Sequence, residues 1–94
     1  MRRAARVDEN QRQIVAALRQ LGASVAITST TGQGFPDICC GFRGRNVLFE
    51  IKDGNKPPSR RKLTPDQIEF HAAWKGEIAV ITSATEAVDY LLRG

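Results

Sequence analysis

Ninety-four residues with a net charge of +4 make one domain and favour an anionic partner, nucleic acid first among them. A hydrophobic share of 41% argues against global disorder, although a chain this short builds only a thin core. No apolar run approaches the roughly 20 residues of a membrane span, and the basic start is not followed by a signal-peptide stretch, so the chain reads as cytoplasmic.

Residues 1–7 read as a flexible basic arm. Asp8 is a good N-cap, and Gln11 stands three positions on, as a capping box requires. Ile14, Leu18 and Leu21 then recur at helical spacing up to Gly22, which predicts a first helix over residues 9–21. The β-branched stretch 24–29 predicts a strand, and residues 30–35 a glycine-bearing loop. Residues 37–41 predict a short strand, with Arg43-Gly44-Arg45-Asn46 as the turn after it. The next strand, 47–52, puts Val47, Phe49 and Ile51 on one face and Leu48, Glu50 and Lys52 on the other. Residues 53–62 form a loop. Thr64, with Pro65 and Gln67 behind it, opens a second helix that runs to about Lys75-Gly76. Residues 77–82 are a strand, and Ser83 with Glu86 opens a last helix buried through Val88, Leu91 and Leu92. The order is α-β-β-β-α-β-α. The passage from residue 47 to residue 82 is long enough for a right-handed crossover, so the last strand should lie parallel to a neighbour. An α/β fold follows, a small mixed sheet flanked by helices, as a single domain over residues 1–94.

The two cysteines, Cys39 and Cys40, are adjacent and point to opposite sides of a strand, so free thiols are expected; with one histidine they do not make a zinc site. More informative is Gly34-Phe35-Pro36-Asp37, followed after twelve residues by Glu50-Ile51-Lys52. Residues two apart in a strand share a face, so Glu50 and Lys52 project together, and a tight return brings Asp37 beside them. Two carboxylates can hold a divalent ion, and a lysine beside it can steady an attacking water or a phosphate oxygen. That set suits metal-assisted cleavage of a phosphodiester.

These residues, the order of elements and Leu63-Thr64-Pro65-Asp66-Gln67 resemble the PD-(D/E)xK nuclease superfamily and, within it, the small stand-alone VRR-NUC proteins of phages and bacteria. The similarity spans nearly the whole chain. It implies a restriction-endonuclease-like core in which Asp37, Glu50 and the main-chain carbonyl of Ile51 hold Mg²⁺ or Mn²⁺. Lys52 would contact the scissile phosphate or orient the water, and Gln67 would position water or substrate near the same centre. Where family members carry a metal-reaching acid in the first helix, this chain offers Gln11 or, displaced around the helix, Glu9. The resemblance also implies an endonuclease acting on DNA, branched or four-way substrates before a base sequence, and working as a homodimer.

Lys56, Arg60, Arg61 and Lys62 directly follow the presumed active strand and are candidates for phosphate contact. Gly34 joins them, because a glycine lets a DNA backbone approach, although a turn alone would also explain it. Arg43 and Arg45, at the far end of that strand, could touch a flanking duplex. Gln67 could serve only as a capping residue. His71 reads as a packing or surface residue, and Trp74 as a core or interface residue and not as a base-stacking platform. Two rivals to the nuclease remain: a nucleic-acid-binding module that kept the fold without hydrolysis, and an interaction protein with no nucleic-acid role.

Overall fold

The computed structural model describes residues 9–94; the expected basic arm and Asp8 lie outside the described residues. The order of elements is the expected one: α1 (Gln11–Leu21), β1 (Ser24–Ile27), β2 (Ile38–Phe42), β3 (Arg45–Ile51), α2 (Pro65–Ala73), β4 (Glu77–Ile81) and α3 (Ala84–Arg93). A short 3-10 turn at Pro58–Arg60 interrupts the loop before α2. The four strands form one sheet in the order β1-β2-β3-β4. The first two pairings are antiparallel, and β4 lies parallel to β3 through the α2 crossover. Among the described residues no helix is long and apolar enough to cross a membrane.

The two-residue turn Arg43-Gly44, with φ of 52° and 79°, joins β2 to β3. Two successive left-handed residues match the twist of a hairpin, so β3 begins at Arg45, two residues earlier than the sequence suggested. The consequence for Arg45 is a correction. Its guanidinium hydrogen-bonds the Glu77 carboxylate and donates to the carbonyl of Leu91 at 3.0 Å, while Tyr90 donates to the same carboxylate at 3.0 Å. Arg45 is thus spent on fastening β3 to β4 and α3.

Both faces of β3 are buried from Val47 onward, one under α1 and α3 and the other under α2. Val47, Phe49 and Ile51 enter the main core with Ile38, Cys40, Ile81, Ile14 and Leu18 of α1, and Leu91 of α3. Phe49, wholly buried, meets Tyr90 edge-on at 5.4 Å. Each such large side chain contributes about 1.5–3 kcal/mol. Leu48 and Glu50, on the other face, are 5% and 1% exposed; there α2 reaches the sheet through Gln67 and His71.

Helix α1 starts at Gln11, after Asn10. Asn10 makes no side-chain cap. Its amide instead donates to the carbonyls of Lys52 at 3.1 Å and Thr82 at 3.0 Å, holding together the ends of the two parallel strands. The side chain of Gln11 turns inward to Ser29; the capping box expected with Asp8 lies outside the described residues.

Candidate active site

Asp37 sits just before β2, behind the buried Pro36. Its backbone is fixed on both sides: N–H to the carbonyl of Phe49 at 3.1 Å, C=O from Thr28 N–H at 2.8 Å. The pairing of Ile38 with Phe49, continued by one residue, sets Asp37 opposite Glu50. There the Asp37 carboxylate accepts the N–H of Ile51 at 2.7 Å, the place a strand carbonyl would ordinarily fill.

Glu50 is the buried acid of the site, at 1% exposure. One of its oxygens accepts from Gln67 Nε2 at 3.1 Å; the other lies 3.5 Å from His71 Nε2. Lys52, on the same face, donates from Nζ to Gln67 Oε1 at 2.9 Å. That oxygen also accepts the N–H of Thr64 at 2.9 Å, as Thr64 Oγ1 accepts the N–H of Gln67 at 3.2 Å. The capping box is therefore complete. Capping and site-building are not alternatives here, because one amide does both.

His71 was not singled out from the sequence as a site residue, yet it faces Glu50. The available signal was its place four residues after Gln67, on the same side of a helix. Burial, and then the charge of Lys52, hold its imidazole below the usual histidine range. Gln11, 5% exposed, bonds Ser29 Oγ at 3.1 Å, and Ser29 Oγ in turn lies 3.3 Å from the Asp37 carbonyl. Glu9 is exposed. Of the two candidates for the helix ligand, Gln11 is the one turned toward Asp37.

Among the described residues no group of three His, Cys, Asp or Glu side chains is arranged to hold a metal ion. A metal here would depend on the two carboxylates, completed by main-chain or amide oxygen. The donors present are all hard oxygens, which fits Mg²⁺ or Mn²⁺ and not a soft ion. A carboxylate as buried as Glu50 also calls for positive charge nearby. Lys52 supplies one such charge, and a divalent ion would supply more.

The cationic loop is tied to this centre at both ends. It leaves directly after Lys52 and returns at Thr64, whose N–H is held by the Gln67 oxygen. Lys56, Arg60 and Lys62 are exposed; Arg61 is half-buried, with its Nε enclosed. Gly34 has φ of +80°, and a Cβ there would overlap the main-chain carbonyl of Asp66. This glycine lets its own loop seat against the start of α2. Arg43 lies over the Phe42 ring, 4.9 Å from its centroid, at the opposite end of β3 from Lys52.

The sheet order and the flanking helices are those of a restriction-endonuclease-like fold. A solved structure described as a VRR_NUC domain has the same fold, with a TM-score of 0.66 and 25% identity, over 96% of this chain and 97% of that one. No protein-family model and no curated protein matches the chain. The likeness, which takes in nearly the full length of both chains, supports a nuclease of the VRR-NUC type.

Proposed function

We propose that this chain is a Mg²⁺- or Mn²⁺-dependent DNA endonuclease that hydrolyses phosphodiester bonds, with branched or four-way DNA as its substrate. The observation that carries the reading is the linked set Glu50–Gln67–Lys52 set opposite Asp37 on adjacent strands. Asp37 and Glu50 would hold the ion with the Ile51 carbonyl, and Gln11 stands nearest to the place of the missing helix acid. A bound divalent ion would polarise the phosphate and lower the pKa of a coordinated water.

The chain's own groups do the rest. The Ile51 N–H keeps the Asp37 carboxylate in one orientation. Gln67 holds the Lys52 ammonium beside Glu50, where it can stabilise the negative charge that develops on a phosphate oxygen. Lys56, Arg60, Arg61 and Lys62 would grip the sugar-phosphate backbone without reading bases. One copy supplies one cleavage centre, so cutting two strands of a junction would take a two-fold dimer.

One observation favours a second reading. Where the resembling family carries an acid in the first helix this chain has Gln11, whose amide is bonded to Ser29, and this would suit a binding module without hydrolysis. Incubating duplex, flap, single-stranded and four-way DNA with wild type, Asp37→Ala and Lys52→Ala in Mg²⁺ or Mn²⁺ separates the two. Nicked product that vanishes in both variants and on chelation supports the nuclease. Retarded but intact complexes support the binding module, and cleavage that persists in both variants refutes the site.

A further inference from the structure

Trp74, read from the sequence as a core or interface residue and not as a base-stacking platform, is 41% exposed, which takes it out of the core. It caps the C-terminal end of α2. Gln67, His71 and Trp74 follow one another at four and three residues, so they lie along one side of the helix. From Gln67 to Trp74 the helix axis advances about 10 Å, at 1.5 Å per residue. That distance is about three base steps at ~3.4 Å each.

The indole is held in place as well as exposed. It stacks on Phe70 at 5.2 Å with 19° between the rings. Phe35 meets Phe70 edge-on at 5.2 Å and Trp74 at 6.3 Å. Phe35 lies two residues before Asp37, so the aromatic cluster is continuous with the candidate active site. Lys75, next in the chain, is exposed, as are Lys56, Arg60 and Lys62 on the loop that enters α2. An exposed aromatic braced by two other rings, with an exposed lysine next in the chain, fits a nucleic-acid strand, since an ordered ring loses little entropy on stacking. Bases inside a closed duplex already stack on one another and offer no face to an indole. An unpaired base does.

We propose that Trp74, braced by Phe70 and Phe35, is a stacking platform for an unpaired base within about three nucleotides of the scissile bond. The platform would make the site favour single-stranded segments at a branch over closed duplex. This inference rests on the nuclease reading above and names the feature of the substrate which that site recognises.

Trp74 is the only tryptophan of the chain, so its emission reports on the platform alone. The full chain is titrated, in chelator to prevent cleavage, with single-stranded oligothymidylate and with a blunt, fully paired two-strand duplex of equal length. Labelled-DNA anisotropy follows binding in parallel. The expected result is quenching by the single strand and little change with the duplex. Trp74→Ala should weaken single-strand binding on the order of tenfold, as removal of one stacked base predicts, and weaken duplex binding far less. Trp74→Phe should restore part of it. Should Trp74→Ala fail to fold, the quenching contrast in the wild type and the Phe variant still decide the matter. Anisotropy that rises without quenching overturns the platform and leaves the nuclease reading standing. So does an equal weakening for both ligands, or emission that shifts with protein concentration alone, which would assign the indole to a contact between copies. No binding of any nucleic acid overturns both.

Discussion

The ammonium of Lys52 lies 2.9 Å from the side-chain oxygen of Gln67, and the nitrogen of that same amide lies 3.1 Å from Glu50. Gln67 therefore couples an acid of β3 to the lysine just past the end of that strand, and it does so from the first turn of a helix that its own oxygen helps to cap. An acceptor for the lysine and a donor for the acid can both come from one neutral amide; neither a carboxylate nor an ammonium has both.

Replacing Gln67 by Glu separates the two duties. Glu is as good a residue at the third helical position, so the cap survives. The new carboxylate would still take Lys52, but it would face Glu50 with an acceptor instead of a donor. Two carboxylates cannot both stay ionised at the 3.1 Å that now separates the amide from Glu50, so thermal stability should fall by about 1–3 kcal/mol although the cap is kept, while cleavage should fall on the order of 10²-fold, the usual cost of one misplaced charge-stabilising group. Gln67→Ala should lose both, with melting and nicking assays run side by side.

The exposed cations should act on affinity through salt alone. Changing Lys56, Arg60 and Lys62 together to Ala should lower the slope of log K against log salt by about one for every phosphate left without its cation. Substrate preference should stay as it was. Arg61 is left out of this set, because a half-buried guanidinium also supports the loop.

Gly34→Ala tests the seating of the loop before Asp37. A left-handed backbone costs an alanine about 1–2 kcal/mol, before any cost from displacing the Asp66 carbonyl. Each kcal/mol lowers the melting point of a domain this size by about 4–8 °C. A melting curve that matched wild type would show that the loop and α2 are not in contact.

Cys40 is wholly buried, and that burial, followed by the neighbouring Cys39, pushes its thiol up to about 11. The native thiol should resist alkylation at pH 8. Below the ordinary thiol value both the folded and unfolded chains are protonated. Above it only the unfolded chain ionises, so stability should fall from pH 9 toward 11, on the order of 2 kcal/mol over the window. Urea midpoints across that range check this, and Cys40→Val should flatten the dependence.

What the sequence revealed was mostly what neighbours in sequence decide. The Thr64–Gln67 and Ser83–Glu86 helix starts are local chemistry, and both Thr64 and Ser83 cap as expected. Alternation along β3 separated Glu50 and Lys52 from Phe49 and Ile51, because period two follows from the pleat alone. Distant partners stayed hidden. Nothing near Gln11 in sequence announced that its side chain bonds Ser29, eighteen residues on. Arg45 read as turn because nothing near it announced Glu77, thirty-two residues away. For His71 the helical spacing was visible, but the depth of Glu50 beneath it was not.

Asn10 carries a consequence of its own. Its side chain fastens the carbonyl of Lys52 and that of Thr82 to the very start of α1. Unwinding that first helical turn would release the backbone of the presumed catalytic lysine and let the two strand tips part. Amide exchange at the head of α1 and around Lys52 should then rise in step, as one opening event rather than two.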